Sequence, residues 1–336
     1  MTNSKPARKR VRCILGTVFL PAVAALGASL ISPDASWSQT SPSKLIKLVV
    51  PLTPGSLIDA LARLTEPQLA SRLGQNIIVE NRPGGGGTIA AKAVATAAPD
   101  GATLLFTGAI HTLAPVLFKS LNYDPVKDFA PIGTIGLGSW VLVVAPSVPA
   151  KSVQELVAYA KAHPGELNWG YGINTGPHFL GEMFKMATGI QVANISYKGG
   201  AQVLPDVLGG RIHMNFATTA TLLPLIRDGK LRALAVTSDA RSPDLPDVPT
   251  MIESGLPRLP RGFWGGLLAP AGTPADIVNR LNAAINASVT TPEMTASLAK
   301  LGFEPKTGSP QDFAALIADE VEAWSAAAKS AGIKPE

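Results

Sequence analysis

The chain has 336 residues, 46% of them hydrophobic, enough to bury a substantial core and, at this length, two. Charged residues make up only 16% and aromatic residues 6%, which argues against a disordered chain and against a nucleic-acid binder that stacks bases on aromatic rings. The formal net charge of +5 sits mostly at one end, where Lys5, Arg8, Lys9, Arg10 and Arg12 precede an apolar run from Cys13 to Ile31.

A basic segment before an apolar one is the pattern of a secretory signal. Small residues at Ala35, Ser36 and Ser38 then mark a cleavage region, with the cut near Ser38-Gln39. The alternative is a membrane anchor that stays attached. Residues 1–38 are read as a removed signal peptide, which places the mature protein in the periplasm. What remains holds 24 basic and 23 acidic residues, so no basic field is left to attract nucleic acid. Cys13, the only cysteine, precedes the apolar run, whereas a lipid-modified cysteine would follow it. The mature chain therefore has no disulfide, thiolate nucleophile or cysteine metal site.

In chain order, 44–51 (KLIKLVVP) reads as a buried strand and 56–73 as a helix with Leu57, Leu61, Leu64 and Leu69 at helical spacing. Ser56 and Asp59 are placed to form its capping box. A strand at 77–80, a Gly-rich turn, a helix over 88–97 and a strand at 103–106 complete a βαβαβ unit, which predicts a largely parallel sheet covered by helices. A second unit opens at the run 140–145. It continues with a helix capped by Ser152 and Glu155 and closed at His163-Pro164-Gly165, then a strand at 167–170 and a helix over 178–188. A strand at 192–197, a helix at 202–209 and strands at 212–217 and 231–237 follow. The tail reads as helices over 274–289, 291–300 and 310–330, with no strand between the last two, and these are expected to pack on the first lobe. The expected lobes are 41–140 plus 252–336, and 141–251.

The chemistry-bearing stretches are strand ends that lead into helices, where free backbone N–H groups attract anions. The first is 51–59 (PLTPGSLID), which offers Thr53, Pro54, Gly55, Ser56 and Asp59; Ser56 either donates its hydroxyl to a ligand or only caps the helix. The second is 81–88 (NRPGGGGT), either an anion nest or a packing turn. It follows the second strand, no Gly-Lys-Ser/Thr occurs, and Ile89 stands where a dinucleotide fingerprint needs glycine. The third is 170–178 (GYGINTGPH), where Tyr171 is placed to wall an apolar ligand body and Gly172, Asn174 and Thr175 to meet an oxyanion. His178 serves as a ligand contact or, the preferred reading, supports the helix start. The fourth is 196–202 (SYKGGAQ), with Tyr197, Lys198 and Gly199; Lys198 either adds positive potential or is simply solvated. Thr107, His111, Thr112, Trp140 and the hydroxyls of Thr218, Thr219 and Thr221 are further candidates.

Catalysis finds little support. The four histidines, His111, His163, His178 and His213, form no metal-binding spacing, and neither a Gly-x-Ser-x-Gly nor a carboxylate pair stands out. No enzyme activity and no cofactor are expected, and a dispersed hydrolase triad is the weakest alternative.

Taken together in order, PLTPGSLIDALAR (51–63), LGQNIIVENRPGGGGTIAA (73–91), PDGATLLFTG (99–108), YDPVKDFAPIG (123–133), the stretches 141–170 and 172–184, YKGGAQVLPDVLGG (197–210) and 229–255 resemble the Bug/TctC receptors of tripartite tricarboxylate transporters. The resemblance covers nearly the whole mature chain. It implies an α/β bilobal periplasmic-binding-protein (Venus-flytrap, class II) fold, with two mixed sheets flanked by helices and a hinge between lobes. It also implies a monomer that hands a small organic carboxylate to the membrane subunits of a transporter, or signals to a membrane sensor. Carried over by position, Pro54, Gly55 and Asp59 match the first ligand loop, Gly172, Thr175 and His178 the second, and Tyr197, Lys198 and Gly199 the third. The chain departs from the family where Ser56 and Asn174 replace glycines, where Tyr171 replaces a small residue, and where Ala217 and Thr218 replace an acid or amide after Phe216. These departures point to a monocarboxylate with an apolar or aromatic body.

Overall fold

The computed structural model describes residues 45–335 apart from Arg261 and Ala331, and they fall within one unit, Ser41–Glu336. The segment read as a signal peptide lies outside the described residues.

The first sheet collects β1 (Ile46–Val50), β2 (Ile77–Asn81), β3 (Thr103–Gly108), β4 (Phe129–Gly138), β10 (Phe263–Pro270) and β11 (Glu304–Pro305), in the order β11-β4-β10-β3-β1-β2. β1 runs parallel to β2 and β3, as the βαβαβ pattern predicts. β10 then enters antiparallel to both β3 and β4, and β11 pairs antiparallel to β4. Two expectations are corrected here. The sheet is mixed rather than largely parallel, and a two-residue strand does separate the last two helices.

The second sheet has the order β7-β6-β8-β5-β9, from β5 (Trp140–Val144), β6 (Asn168–Gly172), β7 (Ala193–Tyr197), β8 (Met214–Thr218) and β9 (Arg232–Val236). β6 is parallel to β7 and β8, while β5 is antiparallel to β8 and β9. The helices are α1 (Leu57–Leu73), α2 (Thr88–Ala95), α3 (Ile110–Leu117), α4 (Val153–Ala162), α5 (Gly176–Thr188), α6 (Val203–Leu208), α7 (Thr219–Arg227), α8 (Ala275–Val289), α9 (Pro292–Lys300) and α10 (Pro310–Ser330).

Local chemistry explains the helix starts. The Ser56 Oγ accepts from the Asp59 N–H at 3.3 Å and the Ser152 Oγ from the Glu155 N–H at 3.1 Å. Neither completes the expected reciprocal box. Asp59 turns to the N–H of Gly55 and Glu155 to that of Lys151, one residue before each cap. α10 does close the full box, with Asp312 accepting from the Ser309 N–H and the Ser309 Oγ accepting from the Asp312 N–H.

Two connections join the sheets. β4 ends at Gly138 and β5 begins at Trp140, so Ser139 alone separates them. The chain returns through residues 237–262, and Gly262 packs so tightly on Gly138 that a Cβ there would lie 1.6 Å from the Gly138 carbonyl oxygen. α10 is the third tie. Its stripe places Phe313 and Ile317 in the core of the first sheet and Trp324, Ala327 and Ala328 in the core of the second. The tail helices pack on the first sheet, as expected for α8 and α9, but α10 extends onto the second as well. The helix serves both sheets because one apolar stripe runs its whole length. Midway, the buried Glu320 Oε2 accepts from the Thr112 Oγ1 and the Trp264 Nε1, both at 2.8 Å.

Candidate functional site

In open α/β sheets ligands sit beyond the C-terminal ends of parallel strands. Here these are the ends of β1, β2 and β3 in one sheet and of β6 and β7 in the other. The loop after β1 leaves Thr53, Pro54 and Gly55 exposed and Ser56 half-buried, while Asp59 is buried. Asp59 is fully engaged by the protein. Its Oδ2 accepts from the Gly55 N–H at 2.8 Å, its Oδ1 accepts from the Asn81 Nδ2 at 2.8 Å, and the Arg63 Nε lies 3.1 Å from both oxygens. Asn81 also donates to the Leu52 carbonyl and accepts from Arg63. Burial pushes the Asp59 carboxyl up, but the bonds from Arg63, Gly55 and Asn81 outweigh it and hold the group below the usual carboxylate range. Asp59 thus shapes the loop from beneath, and Arg63 and Asn81, which the sequence did not single out for this task, complete the brace. The Ser56 hydroxyl accepts from the helix and keeps its own proton to donate outward.

The Gly-rich turn carries positive φ at all four of Gly84 to Gly87, and Gly86 lies against the ring of Phe118. At the end of β3, Thr107 is buried. His111 is enclosed too, with Nε2 2.8 Å from the Pro125 carbonyl and its ring between Tyr123 and Phe129. Burial pushes its pKa down to about 4, against the opposing pull of the Pro125 contact.

The loop after β6 is built differently. Gly172 pairs with Tyr197 in the sheet and meets the turn after β7, where a Cβ on Gly172 would lie 2.7 Å from the Gly200 nitrogen. The Ile173 N–H donates to the Tyr197 carbonyl, and the Thr175 hydroxyl donates to the Gly172 carbonyl at 2.8 Å. Thr175 has therefore committed its proton and serves as N-cap without a side-chain cap bond. Tyr171 and His178 stack face to face, with centroids 4.1 Å apart and planes at 2°. Burial lowers the His178 pKa, the Glu182 charge raises it and the Lys185 charge lowers it. In the third segment the Tyr197 hydroxyl donates to Asp206 at 2.6 Å, while Lys198 is exposed and Gly199 half-buried. Thr218 ends β8 opposite Trp140, and next to it the Thr219 Oγ1 contacts the Ser139 Oγ at 2.8 Å.

A line of contacts runs from the first turn of α1 to the start of α5 past the crossing between the sheets. Ile58, in the first turn of α1, touches Gly108 at the end of β3, and Gly108 abuts the Trp264 carbonyl. One residue earlier, Phe263 packs on Trp140 at 6.0 Å. The Trp140 ring in turn lies under Gly176, the first residue of α5, where a Cβ would come within 2.8 Å of it. The starts of α1 and α5 are thus linked through three side chains, Ile58, Phe263 and Trp140, and the backbone of Gly108 and Trp264. Gly172 meets Gly199 and Gly200, and Thr218 pairs with Trp140 at the crossing; Asp59, His111 and the Tyr197 hydroxyl are engaged within the protein, and Thr107 is buried. Among the described residues no cluster of histidines and acids forms a metal centre, and no helix is long and apolar enough to cross a membrane.

Comparisons with known proteins agree with this architecture. Residues 61–333 match the sequence profile of the tripartite tricarboxylate transporter family receptor, TctC. The protein BugT of Bordetella pertussis is 35% identical over 300 residues, 88% of this chain and 92% of BugT. Among solved structures, Rpa4515 of R. palustris with adipate is 36% identical, covers 88% of this chain and 100% of its own, and superposes with a TM-score of 0.69. A TctC solute-binding protein from Polaromonas, solved with no ligand, is 28% identical, covers 86% of this chain and 99% of its own, and superposes with a TM-score of 0.80. The chain belongs to the TctC/Bug receptor family of periplasmic solute-binding proteins, with the two-sheet α/β fold of that family.

Proposed function

We propose that the protein is exported to the periplasm through its N-terminal signal and captures a small organic carboxylate between its two lobes for delivery to the membrane subunits of a tripartite transporter. The lobes are 41–140 plus 252–336, and 141–251, with the hinge at Ser139 and the strand that returns beside it. The observation that carries this reading is the contact chain Ile58–Gly108–Trp264/Phe263–Trp140–Gly176, which ties two anion-attracting helix starts to one hinge. Ligand oxygens meet N–H groups around Pro54 to Ser56 and Gly172 to Thr175, with the Ser56 proton as an added donor. A carboxylate desolvated in this way keeps its hydrogen bonds, which offsets the cost of burying its charge.

The chain superposes better on a ligand-free relative than on an adipate-bound one, although the second is closer in sequence. In this reading the lobes close on the ligand by rotation at the hinge. No catalytic group takes part. The reading is tested by thermal-shift screening of mono-, di- and tricarboxylates, amides and sugars, before and after unfolding and refolding to release co-purified ligand. A ligand that binds only the folded state raises Tm. Stabilisation by at least one carboxylate is expected; stabilisation by sugars or amides alone, or by nothing after refolding, overturns the reading.

A further inference from the structure

A cavity of about 720 Å³ lies beside α10, between that helix, β4 and the connection that returns to the first sheet. Its volume falls within the range of small-molecule sites, roughly 300–1,000 Å³. None of its lining residues belongs to the loops before α1 and α5 or to the turns after β3 and β7. It is therefore a second concavity, separate from the helix starts that carry the receptor reading.

Its lining has an apolar part and a charged part. Leu259, Pro260 and Trp264 are buried there and Leu316 is half-buried. Most of the charged groups are answered by neighbours. Arg258 pairs with Asp239 at 2.7 Å. The Ser309 N–H and hydroxyl and, less, the Lys306 charge hold Asp312 below the usual carboxylate range. Glu320 is buried and accepts from Thr112 and Trp264. Asp319 and Glu322 remain. They stand three residues apart on α10, both exposed, and neither makes an ion pair or hydrogen bond with another described residue. Counting Arg261, which the sequence places between Pro260 and Gly262, the lining segments still hold four acids against three bases. An anionic ligand would meet two unanswered carboxylates. A cation would give them N–H donors while its hydrocarbon part covers apolar wall.

We propose that this cavity binds an organic amine with an apolar body, held through Asp319 and Glu322. The proposal goes beyond the receptor reading and does not depend on it. Calorimetric titration of the purified protein at low salt, with phenethylamine, hexylamine, phenethyl alcohol, hexanol and putrescine, tests it. At least one of the two monoamines is expected to bind saturably. Its alcohol, which lacks the charge, and putrescine, which lacks the apolar body, should each bind about tenfold more weakly or worse. Asp319→Asn combined with Glu322→Gln should weaken the amine about tenfold with Tm unchanged or higher, since neither side chain holds the fold. Ala323→Leu, which adds bulk to the cavity wall and keeps both acids, should weaken it as well. Saturable binding of neither monoamine, or an alcohol or putrescine that binds as tightly, overturns the inference. So does an unchanged Kd in the double variant, which places the amine elsewhere on the protein, or in a folded Ala323→Leu protein, which reduces the contact to surface charge.

Discussion

The loop before α1 is held by side chains, whereas the loop before α5 is held by its backbone and by close packing. In the first, one buried carboxylate gathers Gly55, Arg63 and Asn81 and so joins the ends of β1 and β2 to the first turn of α1. In the second, Gly172 fits against Gly200, Gly176 fits against Trp140, and the Thr175 hydroxyl closes a short turn onto Gly172. A polar brace tolerates crowding but not loss of its acceptor; a packed loop tolerates loss of a polar group but not an added methyl. The comparison teaches that two loops of similar outline, both glycine-bearing turns into a helix, fail under opposite substitutions.

The largest expected effect is at the brace. Asp59→Ala removes the acceptor of three donors and leaves a buried gap, and should destabilise the protein by about 3 kcal/mol. It should also weaken ligand binding at least tenfold, because the Gly55 N–H is no longer held. Denaturant unfolding and calorimetric titration check both. Gly172→Ala should cost somewhat less, about 2 kcal/mol, since the added methyl meets backbone rather than a flexible side chain. Here binding is expected to fall while the loop before α1 keeps its hydrogen-exchange protection. If Gly172→Ala is neutral, or if Asp59→Ala alters only the far loop, the contrast between brace and packing is broken.

Much of this was legible in the residues. β5 is a continuous apolar run and β1 is one broken only by Lys47, and Ser56, Ser152 and Ser309 announced the helices that follow them. β4 (FAPIGTIGLG) and β10 (FWGGLLAP) give no strand signal, because glycine and proline interrupt both and remove the alternation that marks a strand. Those glycines are there because neighbours come close: Gly138 meets Gly262 and the ring of Phe263, and Gly266 the ring of Phe313. The missed strands carry the crossing, so the hinge itself was invisible locally. α10 was legible as an amphipathic helix, yet sequence could not say that its stripe is shared between two cores. At the site, both loops stood out as strand ends opening helices. The engagement of Asp59 did not, because its partner Asn81 lies 22 residues away. Nor did the left-handed backbone at Asn174, which no side-chain pattern encodes.

The smallest expected effect concerns pH, and it also separates the loops. His178 has a pKa held below the free value of 6.5, chiefly by burial, with Lys185 acting in the same direction and Glu182 opposing. The groups facing its ring are Tyr171, stacked on it, and Glu182 and Lys185 farther along α5, themselves paired at 2.6 Å. In the unfolded chain this histidine takes up a proton as pH falls through 6.5, while the folded protein resists until lower pH. The stability it contributes is therefore complete above 6.5 and is lost as pH falls from there through the folded value. Asp59 behaves differently. Its folded pKa lies below 3.8, so its contribution is complete above 3.8 and survives mild acid. Between pH 7 and pH 5, amides 172–179 should lose hydrogen-exchange protection while amides 55–63 hold theirs, after correction for intrinsic exchange. His178→Phe keeps a ring for the Tyr171 stack and removes the titration, so the difference between the loops should disappear in that variant. Equal loss in both loops, or a pH response that survives His178→Phe, would show that the acid sensitivity of the second loop comes from somewhere other than this buried ring.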